Sequence, residues 1–289
     1  MSNSISFDKV SVHGGHSGSF CDHAVDTLPQ VVNAYVDAGY KWVCLTEHMP
    51  PASQALLMPE ELENGHTPGS LMDRFAQYFE QARQLQQEYA NDIEILVGFE
   101  TEAYTGYQPE VASLIERFQP DMIVGSVHHV QDVLFDADES YYNRARQLCG
   151  SLEDMYCKYF DRQLELINRF EPAVVGHFDL IRIYDPDYKS KWEVASIRER
   201  ALRNLARIKE LGLILDLNTR AFKKGAAEPY VSAPWLDYAI AHDIPMALGD
   251  DSHGVANVGT FLTESVEVLI AAGGQPTWTK PHVGRHVCS

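Results

Sequence analysis

The chain has 289 residues, of which 45% are hydrophobic, and this is enough for one large α/β domain or two small ones. Its formal net charge of −18 disfavours nucleic acid or an anionic membrane as the main partner, because both require clusters of Lys and Arg. The five cysteines are widely spaced and lack a C-x-x-C pair, which predicts a reduced, cytoplasmic compartment. We find no signal peptide pattern, and no apolar run approaches the roughly 20 residues of a membrane span.

Short apolar runs and longer amphipathic stretches alternate along the chain and predict seven strand-then-helix units. The strands are predicted at residues 6–12, 42–46, 93–99, 122–127, 173–175, 213–217 and 244–248. A first helix is predicted around residues 29–38, and the later ones at 71–90, 110–118, 151–170, 194–211, 233–242 and 261–272. This alternation implies a parallel sheet, and the absence of a G-x-G-x-x-G loop favours a closed barrel over an open nucleotide-binding sheet.

Two longer segments interrupt the alternation. Residues 50–70 contain four prolines and two glycines, and residues 131–150 are polar and irregular. Connections of this length commonly cover a functional site, so we expect loop insertions here, the second acting as a lid. No linker of the kind that separates domains is found, and we predict a single domain over residues 1–289.

Histidines and acids follow six of the seven predicted strands at the point where the strand ends. A glycine-rich loop after the first strand carries three histidines, and the last strand leads to an aspartate and a histidine. The candidates are His13, His16, His23, His48, Glu100, His128, His177, Asp251 and His253. Any one of them alone would be an ordinary core or loop residue, but chance does not explain six strand ends of the same kind. In a barrel, these ends meet where active sites form.

Seven histidines and two acids exceed what one metal ion requires, because zinc usually takes four ligands. The sequence therefore predicts two or three divalent ions, and imidazole with carboxylate suits Zn, Mn or Fe without distinguishing them. Clustered metal charge lowers the pKa of water and binds phosphoryl oxygens, so the implied chemistry is hydrolysis of a phosphate ester. We assign the catalytic role to Glu100, His128, Asp251 and His253.

Four cations are candidates for binding the substrate phosphate. Arg182 follows His177 by five residues, and its planar guanidinium suits bidentate contact with phosphate. Arg220, Lys223 and Lys224 follow the next strand and could serve in the same way. The alternatives are a surface salt bridge for Arg182 and a solvated helix start for Lys223 and Lys224.

In order along the chain, these segments resemble the motifs of the PHP family (polymerase and histidinol phosphatase). They are H-S-G-S-F-C-D-H-A at 16–24, L-T-E-H at 45–48, G-F-E at 98–100, G-S-V-H-H at 125–129, G-H-F-D-L-I-R at 176–182 and G-D-D-S-H at 249–253. The segment N-T-R-A-F-K-K-G-A-A-E-P-Y-V-S at 218–232 is similar to the histidinol-phosphate phosphatase subgroup in particular. The resemblance covers nearly the whole chain and implies a distorted seven-stranded (β/α)7 TIM-like barrel with a trinuclear metal site.

The resemblance also implies three ligand sets. One metal would be held by His13, His16, Glu100 and Asp251, a second by Glu100, His128 and His177, and a third by His23, His48 and His253. The family's first motif is H-x-H, whereas two glycines separate the histidines here, so His13 requires a bulged loop to reach the site.

The activity implied by the resemblance is hydrolysis of L-histidinol phosphate to L-histidinol and phosphate, with Glu102, Asp179 or Asp250 as candidates for contacting the substrate amine or imidazole. Two alternatives stay open. The chain could be a PHP phosphoesterase acting on nucleotides or another small phosphate ester, or a metal-binding module without activity. The sequence does not determine the oligomeric state.

Overall fold

The computed structural model describes residues 5–284, so residues 1–4 and 285–289, including Cys288, lie outside the described part. Strands and helices alternate through most of this range. The strands are β1 (Val10–Ser11), β2 (Trp42–His48), β3 (Glu94–Glu100), β4 (Met122–Gly125), β5 (His129–Val130), β6 (Val133–Leu134), β7 (Val174–Val175), β8 (Ile214–Asn218) and β9 (Met246–Gly249).

Seven of these strands form one parallel sheet in the order β1-β2-β3-β4-β7-β8-β9. Its two edges meet, since the Val12 N–H donates to the Leu248 carbonyl at 2.8 Å and the Asp251 N–H donates to the His13 carbonyl at 2.8 Å. The sheet is therefore a nearly closed seven-stranded barrel, and the predicted fold class is confirmed. The register sets His48 beside Glu100, which aligns the carboxyl ends of β2 and β3.

Helices surround the barrel and bury the outer faces of its strands. They are α1 (Leu28–Asp37), α2 (Pro59–Glu63), α3 (Pro68–Glu88), α4 (Tyr107–Phe118), α5 (Glu139–Cys149), α6 (Leu152–Phe170), α7 (Tyr188–Lys191), α8 (Ala195–Leu211), α9 (Arg220–Lys223), α10 (Trp235–Ala241) and α11 (Leu262–Ala271). Because both faces of each barrel strand are covered, the strands are continuous apolar runs rather than alternating ones. Within residues 5–284, no helix has the length and hydrophobicity needed to cross a membrane.

The predicted elements are present, with boundaries shifted by a few residues in most cases. Among the strands, β1 differs most from its prediction, because it has two residues where seven were predicted. Helix α6 begins after Ser151, whose side chain accepts a hydrogen bond from the Asp154 N–H, as the capping pattern predicted. Gly212 ends α8 in the left-handed conformation.

The segment 131–150 is more regular than predicted. It contains β6 and the eleven-residue helix α5, so the expectation of an irregular stretch is wrong. Asp138 caps α5 by accepting from the backbone N–H groups of Ser140 and Tyr141. The helix buries only three side chains, those of Tyr142, Ala145 and Cys149. Its other residues are mostly polar, so the helical spacing of the buried ones is hard to see in the sequence. The other segment, 50–70, contains α2 and the start of α3.

Candidate metal centre

The carboxyl ends of the barrel strands surround a cavity of about 230 Å³. Seven of the nine predicted ligands line it, namely His23, His48, Glu100, His128, His177, Asp251 and His253. The remaining two, His13 and His16, are fully buried and lie within ion-pair distance of Glu100 in the cavity wall. The structure thus brings together all nine ligands predicted from the sequence.

Glu100 is the centre of this group and is only 1% exposed. Its Oε1 lies 2.9 Å from His177 Nε2 and 3.3 Å from His128 Nε2. Its Oε2 lies 3.2 Å from both His13 Nε2 and His48 Nδ1. Each carboxylate oxygen therefore lies within 3.3 Å of two imidazoles, which is the arrangement expected of a carboxylate shared between metal ions.

A second group of imidazoles lies on the other side of the cavity. His23 Nε2 and His253 Nε2 are 3.1 Å apart, and the rings of His16 and His253 stack with centroids 4.2 Å apart. The Asp251 Oδ1 lies 3.7 Å from His16 Nε2. Four sets of ligand atoms converge in the described residues, namely Cys21/His23/His48/His253, His13/Glu100/His177, His13/His16/Asp251 and His16/His48/Glu100.

The donor set fits divalent metal ions. Within residues 5–284, the Nε2 atoms of His13, His16 and His48 are buried and make no well-aligned hydrogen bond, although His13 Nε2 lies 3.2 Å from Glu100 Oε2 and buried polar atoms are normally paired. The Nε2 atoms of His128 and His177 face each other at 3.1 Å, where at most one of them can donate in the neutral state. Nitrogen atoms bound to one zinc ion, each about 2.0–2.1 Å from it, have a similar separation.

Acidic residues behind the histidines orient three of the rings. The Nδ1 atoms of His13, His16 and His128 lie 2.9 Å from Asp216, 3.0 Å from Glu47 and 2.9 Å from Glu102, respectively. Each pair directs the Nε2 atom of its ring toward the cluster, as carboxylate partners of metal-bound histidines do. Our sequence analysis missed Glu47 and Asp216. The available signal was an acid inside a strand that is otherwise apolar, as in I-L-D-L-N.

The glycines of the first loop allow both of its histidines to reach the site. Gly14 and Gly15 have φ angles of 154° and 77°, which side-chain-bearing residues rarely adopt. A Cβ atom at Gly15 would lie 2.5 Å from a methyl group of Leu45. The loop is bulged, as the spacing required, and His13 reaches Glu100.

Burial and neighbouring charges raise the pKa of some histidines in the cluster and lower the pKa of others. Burial alone would lower the pKa of His48, but Glu102 and Glu100 raise it to about 9. Burial would raise the pKa of Glu100, but His13 and His128 hold it well below its usual range. Burial, with His48 and His16 nearby, lowers the pKa of His23 to about 2, so this ring stays neutral and able to bind a metal.

The predicted phosphate-binding cations differ in whether they line the cavity. Arg220 lines the cavity, and its Nη1 donates to the Asp251 carbonyl at 2.9 Å and lies 2.8 Å from His253 Nδ1. Lys223 does not line it; its exposed Nζ donates to Asn257 at 2.9 Å, and the adjacent Lys224 is the lysine in the cavity wall.

Arg182 does not reach the cavity, contrary to prediction, and is not a surface residue either. It is 4% exposed, pairs with Asp179 at 3.3 Å and donates to the carbonyls of Glu228 and Pro229 at 3.1 and 2.8 Å. Its guanidinium also packs over the Tyr230 ring at 4.7 Å. The short 3-10 turn Leu180–Arg182 directs it into this buried contact, which fixes the loop before α10.

Two of the three acids suggested as substrate contacts are also occupied elsewhere. Asp179 accepts from the Ser232 N–H at 3.0 Å, and Asp250 accepts from the hydroxyls of Tyr35 and Ser11 at 2.8 and 3.0 Å. Glu102 lines the cavity, but it supports His128. Neither Asp179 nor Asp250 lines the cavity, so neither carboxylate is placed to contact a substrate bound there.

A parallel barrel with a buried cluster of histidines and carboxylates at its carboxyl edge defines a metal-dependent barrel protein. The family model described as "PHP domain" matches residues 14–220, and this chain belongs to the PHP family. A Schizosaccharomyces pombe protein named "Probable histidinol-phosphatase" is 35% identical over 260 residues, covering 86% of this chain and 82% of the relative. The "Histidinol-phosphatase" of Saccharomyces cerevisiae is 29% identical and covers 89% and 87%.

A solved structure shares the fold. Histidinol phosphate phosphatase from Lactococcus lactis, complexed with zinc, L-histidinol and phosphate, superposes with a TM-score of 0.70. The two chains are 24% identical, and the match covers 97% of this chain and 98% of the other.

Proposed function

We propose that this chain is a metal-dependent phosphomonoesterase that hydrolyses L-histidinol phosphate to L-histidinol and phosphate. The observation that carries the proposal is the convergence of seven histidines and two carboxylates on one cavity, in a chain whose relatives are histidinol-phosphatases over 86% and 89% of its length. A phosphatase needs concentrated positive charge beside a polar cavity, and such a cluster supplies it when metal ions are bound.

We propose that the cluster holds two or three divalent ions. Nine ligand residues support more than one ion, and the zinc in the Lactococcus lactis relative supports zinc, with Mn and Fe as alternatives. His13, His16, Glu100 and Asp251 would form one site, Glu100, His128 and His177 a second, and His23, His48 and His253 a third. Glu100 would join the first two, since its Oε2 lies 3.2 Å from His13 of the first site and its Oε1 lies 3.3 and 2.9 Å from His128 and His177 of the second.

In the proposed hydrolysis, the metal ions and the side chains of the protein have different roles. Bound divalent ions would supply Lewis-acid charge and make hydroxide available at neutral pH. Arg220 offers a guanidinium in the cavity wall for phosphoryl oxygens, with Lys224 as a second cation. Glu47, Glu102 and Asp216 keep His16, His128 and His13 in one tautomer, so their Nε2 atoms stay directed at the reacting centre.

We also propose a cytoplasmic location and a small phosphate ester as the partner of this site. Four free cysteines, Cys21, Cys44, Cys149 and Cys157, support a reducing compartment. The net charge of −18 supports a small-molecule substrate rather than nucleic acid.

The test is phosphate release by purified protein whose metal content has been measured. L-histidinol phosphate would be compared with AMP and 4-nitrophenyl phosphate. We expect turnover to favour histidinol phosphate strongly, with two or three ions per chain and loss of activity after chelation. A preference for AMP would support the nucleotide alternative instead. The absence of metal-dependent hydrolysis of all three esters would support a metal-binding module without activity.

A further inference from the structure

The outer wall of the cavity is formed partly by the segment that follows His128. Strands β5 and β6 pair as a tight hairpin, with His129 opposite Leu134. The Phe135 N–H then donates to the His128 carbonyl at 2.9 Å, so the chain returns to the metal-binding strand end. Residue 136 therefore follows directly on a backbone contact with the strand end that carries His128. The Tyr184 hydroxyl, which donates to the Asp136 carbonyl at 3.3 Å, fixes it further.

Asp136 presents a carboxylate to the cavity from this fixed position. It lines the cavity, together with apolar side chains such as Leu134, Leu180 and Ile183. Its Oδ1 is shielded from solvent and has no hydrogen-bond partner in the part of the chain that the structure describes. By contrast, the buried carboxylates of Asp179 and Asp250 accept several hydrogen bonds each.

A carboxylate oxygen removed from water without a partner is costly, and such a group in a ligand cavity is explained when the ligand supplies the missing donor. The donor that suits it best is a cation, because charge-assisted hydrogen bonds are the strong ones. The metal cluster and Arg220 occupy the part of the cavity that suits phosphate. Asp136 belongs to none of the four groups of converging ligand atoms, so it is free to meet the cationic group of a substrate whose phosphate is bound by the metal cluster.

We propose that Asp136 is a specificity-determining residue that binds the ammonium group of the substrate. This inference rests on the proposed function, since histidinol phosphate is a phosphate ester with an ammonium group. It also gives a physical reason for discrimination against nucleotides, whose bases are neutral at pH 7. A neutral base placed beside Asp136 could offer at most an uncharged donor, so the charge-assisted hydrogen bond would be lost, and sites of this kind reject ligands that lack the expected donor.

The test compares Asp136→Asn with Asp136→Ala and with a control, Glu139→Gln. Glu139 lies on the same segment and is exposed, so the control removes the same charge without altering the cavity wall. Each metal-loaded protein would be assayed with L-histidinol phosphate, with its analogue lacking the amino group, and with 4-nitrophenyl phosphate. Metal content and thermal unfolding would show that the variants are folded and loaded. Binding of L-histidinol, measured by calorimetry, gives a result that does not depend on turnover.

For both Asp136 variants we expect kcat/KM on histidinol phosphate to fall about 10- to 100-fold, as is usual for a lost hydrogen bond to a charged group. L-histidinol should bind more weakly by a similar factor. Turnover of the analogue and of 4-nitrophenyl phosphate should change less than about threefold, and Glu139→Gln should match the wild type.

Two results would contradict the assignment, and a third would remove its basis. If folded, metal-loaded Asp136 variants keep the wild-type kcat/KM for histidinol phosphate, Asp136 does not recognise the substrate. If they lose activity equally on the analogue, the carboxylate does not act on the ammonium group. If the wild type itself shows no preference for histidinol phosphate, the proposed function fails, and this is seen before any variant is compared.

Discussion

Replacing Glu100 by Gln should remove two metal ions at once. The substitution preserves the shape of the side chain but removes the charge that faces four imidazole nitrogens at 2.9 to 3.3 Å. If Glu100 joins two sites, metal analysis should show the stoichiometry falling by two ions per chain rather than one. Activity should fall by at least about a thousandfold, because the positive charge of the two ions would otherwise stabilise the anionic transition state.

The same substitution should destabilise the metal-free protein. Glu100 is buried, and its carboxylate raises the pKa of both His13 and His128 against the effect of burial. Removing one member of a buried charge network typically costs about 3–5 kcal/mol, because the other charges are left unpaired. Urea unfolding of the chelated protein at pH 7 would measure this change.

Glu94→Gln is the matched control, since Glu94 begins the strand that Glu100 ends. Its ion pair with Lys280, at 2.7 Å, is largely exposed, so its loss should cost less than about 1 kcal/mol. Wild-type metal content and activity in Glu100→Gln would refute the assignment of Glu100 as a shared ligand. A loss of stability without a loss of metal would show that Glu100 has only a structural role.

Three further predictions follow from the geometry. Arg182→Met should lower the free energy of unfolding by about 3–5 kcal/mol, because the buried Asp179 carboxylate loses its ionic partner and keeps only its hydrogen bonds, such as that from the Ser232 N–H. Lys223→Met should change it by less than about 0.5 kcal/mol, and urea unfolding of both variants decides this. Gly15→Ala should cost at least about 1 kcal/mol and reduce metal content, because the φ angle of 77° and the contact with Leu45 exclude a side chain; normal metal content would contradict it. Metal binding at pH 7.5 should release protons and should strengthen as the pH rises toward 9. The reason is that His48, with a pKa of about 9, is protonated without metal and binds metal when neutral. Calorimetry in buffers of different ionisation enthalpy measures the proton release, and the absence of any release would refute the charge state of His48.

The barrel and its ligands could be predicted from the sequence because both depend on local patterns. Each strand is a short, mainly apolar run, and six of the seven runs lead to a histidine or an acid, such as His48 at the end of β2 and His177 after β7. Parallel strands in a barrel bring their carboxyl ends to one edge, so residues distant in sequence must converge there. Even the bulge that brings His13 to the site followed from the two glycines beside it.

Other features depend on which distant side chains meet, and only the tertiary structure decided them. Asp216 supports His13 from 203 residues away, a pairing that no spacing indicates. Arg182 has the residue type and position of a phosphate ligand, but a local turn directs it to Asp179. Asp136 lies in a segment that looked irregular, and a hairpin attached to His128 carries it into the cavity wall. Local periodicity thus determined the fold and the residues available for chemistry, whereas packing determined which of them face the cavity and which stabilise the structure around it.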